Sequence, residues 1–314
     1  MPLNNCIPST ITNRTLNKKD IIIGTRGSDL ALWQANTVKN QLTQIGLNPR
    51  LSIIKTRGDN IQHLGFDKME GKGFFTKELE EALLSGVIDL AVHSHKDLET
   101  NFPEGLTIAA VSSRADAREL LLIKPESVDE NNVFSLKQGA IVGTSSARRK
   151  SQMLHHRPDV ILQDLRGNVP TRIEKLRSGN YDAILLAKAG VDRLELDLSG
   201  LHAIALPTDR FVPAPAQGVL GIQCRAGDVQ LISQLAAIHN AETQQQIHIE
   251  RTVLNRLQGG CQLPLGVFAT KKEDGFHAHV AVAKTWDAPL LKFELEDNSP
   301  EKLIENILHR IDLS

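Results

Sequence analysis

The chain has 314 residues, of which 41% are hydrophobic and 23% are charged, and its formal net charge is −1. These values are typical of a soluble globular protein with two or three domains, each able to bury a core. The near-neutral charge and an aromatic content of 4% argue against a dedicated nucleic-acid-binding protein. Three irregularly spaced cysteines form no disulfide framework and favour a reducing, cytoplasmic setting. No apolar run approaches the length of a transmembrane helix.

The first twenty residues are polar and carry Arg14, Lys18 and Lys19, with no acidic residue before Asp20. A short transit peptide shares these traits, but the stretch is poor in arginine and has no convincing amphipathic face. We interpret residues 1–20 as a frayed tail.

Strands and helices alternate from Ile21 onward, which is typical of βαβ units and mainly parallel sheets. Between the second strand and the next helix, a glycine-spaced loop over 60–75 contains Lys72 and Phe75. This loop is either a mobile lid or a plain connector. The strands predicted in this first unit are 21–23, 51–56, 87–92 and 106–111, and its helices begin at Asp29, capped by Ser28, and after Thr76 as the cap.

A second α/β unit begins by Leu120, and a strand over 219–224 could return to the first unit. The predicted strands of the second unit are 140–143, 160–165 and 182–187, and its helices begin near Arg148, Pro170 and Lys188. After a helix over 243–257, short alternating strands near 265–270, 277–283 and 290–295 and a closing helix after Ser299 predict a small α+β domain. The expected fold is therefore α/β, with two hinged, mainly parallel-sheet domains that are periplasmic-binding-protein-like. The expected domains are 1–115 with 218–238, then 116–217, then 239–314.

One arrangement recurs: a strand ends in a small polar turn, and a helix begins beside an arginine. Free backbone N–H groups and the helix dipole make such a helix start a natural anion site, and ligands of open α/β sheets bind at the carboxyl ends of strands. Glycine patterns for nucleotide phosphates are absent, so several carboxylates fit as well as or better than phosphates. The three cases are Thr25-Arg26-Gly27-Ser28, Thr144-Ser145-Ser146-Ala147-Arg148-Arg149, and Arg166-Gly167-Asn168 with Arg172.

The segment His93-Ser94-His95-Lys96-Asp97 follows another predicted strand. Residues two apart on a strand share a face, so His93 and His95 could both reach one metal ion. No third ligand is evident, and we interpret them as two ordinary histidines with no metal site. A carboxylate at Asp97, facing an arginine-rich cleft, could handle protons or stabilise a cationic intermediate.

Cys261 lies in the segment Gly259-Gly260-Cys261-Gln262-Leu263-Pro264. Two glycines remove side-chain bulk, so a large group could approach the sulfur. Taken alone, this loop is more typical of a small buried cysteine in a tight turn than of a functional thiol.

Together these residues resemble the porphobilinogen deaminase, or hydroxymethylbilane synthase, family of tetrapyrrole and haem biosynthesis. The resemblance runs from about Ile21 to Gly266 and is weaker in the C-terminal domain. Many motifs in the right order carry it. They are Gly24-Thr25-Arg26 with Ser28, Ala31-Leu32-Trp33-Gln34-Ala35, Thr56-Arg57-Gly58-Asp59, Gly71-Lys72-Gly73, Ala91-Val92-His93-Ser94 with Lys96-Asp97, Gly143-Thr144-Ser145-Ser146 with Arg148-Arg149, Arg166-Gly167-Asn168-Val169 and Gly259-Gly260-Cys261-Gln262.

The resemblance implies a transferase with its cleft between the first two domains. It implies that Cys261 carries a dipyrromethane cofactor through a thioether, and that four porphobilinogen units are added head to tail with loss of ammonia, giving 1-hydroxymethylbilane. Asp97 matches the catalytic aspartate, and Lys72 and Phe75 fall in the loop that covers the cleft. The residues that it places around the acetate and propionate groups are Arg26, Ser28, Lys96, Thr144, Ser145, Ser146, Arg148, Arg149, Arg166, Gly167, Asn168, Arg172 and Arg193.

Four positions depart from the family pattern. His95 stands where an apolar residue is expected, Glu99 and Ala117 where proline is common, and Ala147 where leucine is usual. None of these changes removes a chemical group from the implied mechanism, so they bear on loop shape.

The alternative is a non-enzymatic, two-domain binding protein for a polycarboxylate, whose arginines would hold the ligand. Such a protein needs neither Asp97 nor Cys261 and normally carries an export signal. The expected partner is therefore porphobilinogen, without nucleic acid or membrane, and the expected state is a cytoplasmic monomer.

Overall fold

A computed structural model describes residues 20–56, 76–258 and 263–313. The N-terminal tail, the predicted lid with Lys72 and Phe75, and Cys261 lie outside these residues. None of the helices within them is both long enough and apolar enough to cross a membrane.

The described ranges alternate strands and helices up to the C-terminal domain. The strands are β1 (Asp20–Thr25), β2 (Asn48–Ile53), β3 (Leu90–Ser94), β4 (Leu106–Val111), β5 (Glu119–Ile123), β6 (Ile141–Gly143), β7 (Ile161–Gln163), β8 (Ala183–Ala187), β9 (His202–Leu206), β10 (Leu220–Arg225), β11 (Leu265–Lys272), β12 (Gly275–Val282) and β13 (Leu291–Asp297). The α-helices are α1 (Asp29–Gln44), α2 (Lys77–Leu84), α3 (Ala147–His156), α4 (Val169–Arg177), α5 (Lys188–Arg193), α6 (Val229–Leu235), α7 (Ala241–Arg256) and α8 (Pro300–Asp312).

Two five-stranded sheets share one topology. The first has the order β2-β1-β3-β10-β4, and the second has the order β7-β6-β8-β5-β9. In the first sheet β10 runs antiparallel to both its neighbours, β3 and β4, and in the second β5 runs antiparallel to β8 and β9. The other strands of each sheet run in one direction, so the predicted mainly parallel α/β architecture is confirmed.

The first sheet is covered by α1, whose apolar residues recur at helical spacing. Ala35, Val38 and Leu42 are fully buried and pack with Ile23 and Leu90 of the sheet. This 3–4-residue spacing places one face of α1 on the sheet and leaves the N-terminus of α1 at the carboxyl end of β1.

The chain crosses between the two sheets twice, from β4 to β5 and from β9 to β10. The two crossings lie side by side, because the amide of Ala115 donates a hydrogen bond to the carbonyl oxygen of Gly218 at 3.0 Å. Gly218 has a φ of +86°, and a Cβ atom there would lie 2.7 Å from the Ala115 oxygen. Only glycine fits this close approach without strain.

The C-terminal domain is an antiparallel sheet, β11-β12-β13, packed against α7 and α8. Val253, Val267, Leu303 and Ile307 are fully buried between the sheet and these helices. The predicted small α+β domain is therefore confirmed.

Several element boundaries differ from the predicted ones. The strand predicted over 51–56 is Asn48–Ile53, and the one predicted over 87–92 is Leu90–Ser94. The strand β3 extends through Ser94, and the segment that follows it, His95–Asp97, is a 3₁₀ helix. The side chain of Thr76 makes no capping hydrogen bond to α2, contrary to prediction, and β5, β9 and α6 have no counterpart among the predicted elements.

Candidate active site

Three predicted anion sites are helix starts in the structure, each with a side-chain cap. The Ala31 amide donates to Ser28 Oγ at 3.4 Å, the Arg149 amide to Ser146 Oγ at 3.5 Å, and the Thr171 amide to Asn168 Oδ1 at 2.9 Å. Each cap follows the carboxyl end of β1, β6 or β7, respectively. The remaining free N–H groups of these helices point out of the carboxyl ends of the two sheets.

Arg148 and Arg149 open α3 but are buried rather than spread over the surface, at 6% and 7% exposure. Both bind Glu119, the first residue of β5: Arg148 Nη2 lies 2.5 Å from Oε1, and Arg149 Nε lies 2.9 Å from Oε2. Burial alone would raise the pKa of Glu119, but the charges of Arg149 and Arg148 outweigh it and lower the pKa to about 2. Glu119 is therefore a permanent anion that holds two cations together.

Lys96 reaches this cluster from the first sheet. Its Nζ donates to Gln217 Oε1 at 3.0 Å, and Gln217 Nε2 lies 3.1 Å from Glu119 Oε1 and 2.8 Å from the carbonyl oxygen of Ala117. Burial lowers the pKa of Lys96 to about 8, although the charge of Asp97 acts in the opposite direction. Gln217 thus connects the Lys96 side of the cleft to the Glu119 cluster.

Arg172 of α4 is influenced by the charges of both Arg149 and Asp97. Its Nε donates to the carbonyl oxygen of Gly167 at 2.7 Å. Burial lowers its pKa to about 10, the charge of Arg149 adds to this effect, and the charge of Asp97 opposes it. Asp97 follows β3 of the first sheet, so groups from both sheets share one electrostatic site.

Arg193, at the end of α5, bridges the two sheets at another point. Its Nη2 donates to the carbonyl oxygen of Gly218 at 2.8 Å, and its guanidinium lies 5.6 Å from the ring centroid of Trp33 on α1. Burial lowers the pKa of Arg193. Such a desolvated cation is well placed to bind an anion in the cleft.

Asp97 is the exposed member of this site, and α7 fixes the chain beside it. Arg251 donates to the carbonyl oxygens of Leu98, at 2.9 Å, and Glu99, at 2.5 Å, and Asn255 donates to Asn101 Oδ1 at 3.0 Å. The segment with Cys261 follows α7 directly, so the helix that leads to this cysteine is bonded to the segment that follows Asp97.

His93 and His95 occupy core positions. His93 Nε2 lies 3.1 Å from Gln223 Oε1, and burial lowers its pKa to about 4. His95 packs against Gly221, and burial lowers its pKa to about 3. Both rings are therefore neutral at physiological pH and lie in the interior.

Sequence reasoning missed the residues that organise the site. Glu119, Gln217 and Arg251 were not predicted, nor was Glu250, which accepts hydrogen bonds from Arg114, from the Ala216 amide at 2.6 Å and from the Ala269 amide at 2.8 Å. A lone acid heading the apolar strand Glu119–Ile123 was the one available signal. A charge at a position that is otherwise core is rarely buried without a partner.

Cation charge exceeds anion charge in the described cleft. Lys96, Arg148, Arg149 and Arg172 influence one another, and the acids acting on them are Glu119 and Asp97. This surplus fits a ligand with several carboxylates, such as a dipyrromethane with its acetate and propionate groups.

Comparison with known proteins agrees with the resemblance found in the sequence motifs. The family model "Porphobilinogen deaminase, dipyromethane cofactor binding domain" matches residues 21–233, and the model for the family's C-terminal domain matches 244–287. Porphobilinogen deaminase of Sulfurimonas denitrificans is 44% identical over 259 residues, covering 82% of this chain and 81% of its own. That of Helicobacter hepaticus is 42% identical over 281 residues, covering 89% and 86%.

Among solved structures, the periplasmic VFT2 domain of Bordetella pertussis BvgS matches with a TM-score of 0.42 and 14% identity, covering 70% of this chain and 86% of that one. The strand order of the two sheets, and not this likeness, defines the architecture. The sequence relatives and the family models establish that the chain belongs to the porphobilinogen deaminase family.

Proposed function

We propose that the chain is a hydroxymethylbilane synthase. It joins four porphobilinogen units head to tail, with loss of ammonia from each, and releases 1-hydroxymethylbilane. The single observation that carries this proposal is the joint site of Arg172, Arg149 and Asp97. The buried Arg149 and the exposed Asp97 carboxylate both act electrostatically on the partly buried Arg172, so cations of one sheet and a carboxylate that follows the other share one site.

The cations account for substrate binding. Each porphobilinogen carries two carboxylates, and arginine binds a carboxylate with two parallel hydrogen bonds. Because Glu119 neutralises only one of the two charges of Arg148 and Arg149, positive charge remains for the ligand. The proposed binding residues are Arg26, Ser28, Lys72, Phe75, Lys96, Thr144, Ser145, Ser146, Arg148, Arg149, Arg166, Gly167, Asn168, Arg172 and Arg193.

Asp97 is the proposed catalytic residue. Loss of ammonia from porphobilinogen leaves a positively charged pyrrole, and a fixed carboxylate beside it stabilises that charge. The backbone next to Asp97 is held by Arg251, so its carboxylate is attached to a positioned segment.

Cys261 is the proposed attachment site of the cofactor. When bound through a thioether, a dipyrromethane supplies the free pyrrole position on which the first substrate unit is added. The thiolate of Cys261 forms that bond, and Gly259 and Gly260 leave room for the pyrrole rings. Arg26, Ser28, Arg148, Arg149 and Arg172 would hold the carboxylates of the cofactor.

The proposed domains are residues 1–115 with 218–238, then 116–217, then 239–314, and the proposed state is a cytoplasmic monomer without nucleic acid. The crossing at Ala115 and Gly218 supports the first boundary, because there the chain leaves one sheet for the other.

Turnover of porphobilinogen by the purified chain tests the function. We expect ammonia release together with a linear tetrapyrrole, and we expect binding of porphobilinogen without ammonia release if the chain is instead a polycarboxylate-binding protein. The second outcome would contradict the proposal.

A further inference from the structure

A cluster outside the cleft has the chemistry of a metal site. His277 and His279 lie two residues apart on β12 and therefore share one face of the C-terminal sheet. Glu294 lies on β13 directly opposite His279 in the antiparallel register. The core residues Ala278 and Val280 point to the opposite face, so this cluster is not part of the hydrophobic core.

The spacing of the three ligand atoms fits a tetrahedral ion. His277 Nε2 lies 3.2 Å from Glu294 Oε2, His279 Nδ1 lies 3.4 Å from the same oxygen, and all three atoms lie within 4.8 Å of one another. With bonds of about 2.0–2.1 Å to zinc, neighbouring ligand atoms of a tetrahedron are about 3.3–3.4 Å apart. Two of the three edges already have this length.

The two imidazoles lie next to each other in a sheltered position. Their ring centroids are 4.5 Å apart at an interplanar angle of 86°. His277 and His279 have side-chain exposures of only 15% and 17%, which keeps bulk water from competing fully for the ion.

Charges of both signs surround the cluster. Asp209 and Glu294 contribute negative charge beside His279, and Lys292, on which Arg210 also acts, contributes positive charge on the same face. Lys292 Nζ donates to the carbonyl oxygen of Arg210 at 3.1 Å, which directs its ammonium to the turn after β9. The ligand atoms available to a divalent ion are therefore two imidazole nitrogens and the carboxylate of Glu294, with the negative charge of Asp209 acting on His279 from the turn after β9.

We propose that His277, His279 and Glu294 bind a zinc-class divalent cation on the outer face of the C-terminal sheet. Two imidazoles and one carboxylate are a common ligand set for Zn²⁺, and imidazole also suits Ni²⁺ and Cu²⁺. Three protein ligands leave one position for water. The ion would link β12 to β13 and brace the C-terminal domain near the turn that contains Asp209. This site is separate from porphobilinogen turnover.

Calorimetric titration of the chelator-treated, full-length protein with Zn²⁺ tests the site. We expect one equivalent to bind, and we expect His277→Ala, His279→Ala and Glu294→Gln each to weaken binding by at least about tenfold. The matched control is His248→Ala, which alters an exposed histidine 3.9 Å from Glu301 and should bind zinc as the wild type does.

Thermal unfolding with and without Zn²⁺ provides a second measurement. The wild type should gain stability from zinc, and the three variants should lose that gain while they unfold cooperatively in chelator. Glu294 has a side chain that is 66% exposed, so Glu294→Gln tests the site without disturbing the fold. Equal zinc affinity in the wild type and the three variants, or no binding by the wild type, would overturn the proposal.

Discussion

Glu119 and Arg149 form a buried ion pair between the start of β5 and the first turn of α3. Arg149 Nε and Nη2 lie 2.9 Å and 2.8 Å from Glu119 Oε2, and the Glu119 side chain is fully buried. The second oxygen of Glu119 binds Arg148. One carboxylate therefore determines where two arginines of the first turn of α3 can lie. This carboxylate belongs to β5, the antiparallel strand of the second sheet.

We expect Glu119→Gln to destabilise the chain by about 3–5 kcal/mol, because two buried guanidinium groups lose their counter-charge. Urea unfolding measures this loss. Glu126→Gln is the matched control, because Glu126 pairs with Lys124 but has a side chain that is 63% exposed, and it should leave the stability near that of the wild type. Equal stabilities of the two variants would show that the Glu119 cluster does not support the fold.

The same pair sets a pH dependence of stability. The folded pKa of Glu119, about 2, lies below the unfolded value of 4.5, so its contribution is present above pH 4.5 and is lost as pH falls toward about 2. Glu119→Gln should reduce the slope of stability against pH in this window.

We expect Asp97→Asn to keep the fold and to lower porphobilinogen turnover by about a hundredfold or more, because a neutral amide stabilises a cationic pyrrole poorly. Steady-state rates measure the loss, and unfolding curves verify the fold. The control is Glu104→Gln, which removes an exposed acid from the loop before β4. Near-normal turnover by Asp97→Asn would remove Asp97 from its proposed role.

The pKa of Lys96 predicts that substrate binding weakens at alkaline pH. Its pKa of about 8 means that the free protein loses this positive charge as pH rises through 8, and a carboxylate-bearing substrate then binds less well. We expect kcat/KM to fall through this range in the wild type. Lys96→Arg should keep its charge and move the fall to higher pH. Lys150→Arg on α3, where the lysine pairs with Asp164, is the control; if it shifted the profile equally, the titration would not belong to Lys96.

The hydrogen bonds of Arg251 to the segment after Asp97 predict that Arg251 positions the Asp97 carboxylate. Arg251→Gln removes the hydrogen bonds to Leu98 and Glu99 and frees the segment beside Asp97. We expect kcat to fall by about tenfold or more while the attached cofactor mass is unchanged. Arg256→Gln on the same helix breaks an exposed pair with Glu305 and should leave kcat near the wild-type value. Loss of the cofactor in Arg251→Gln would instead assign Arg251 to attachment.

Local sequence patterns predicted much of this fold and part of the site. Alternating strands and helices, and the polar turns at Ser28, Ser146 and Asn168, depend on neighbouring residues, so the helix starts that line the cleft could be predicted. The strand β9 (His202–Leu206), which ends just before Pro207, was missed. Its pairing with β5, far back in the chain, stabilises it.

The partners inside the cleft could not be predicted in the same way. Glu119 binds residues 29 and 30 positions away and Gln217, which lies 98 positions away. Such contacts join residues that are distant in the sequence, and no periodicity of the sequence encodes them. The resemblance named the arginines, and the structure adds the acid that holds them.

The intact mass of the purified chain tests the central claim most directly. We predict that the wild type exceeds its sequence mass by one dipyrromethane and that Cys261→Ser has the bare mass and no turnover. Cys224→Ser is the matched control, because Cys224 is buried in the first sheet and should leave the added mass in place. A wild-type mass equal to that of the bare polypeptide, with no turnover of porphobilinogen, would contradict the account.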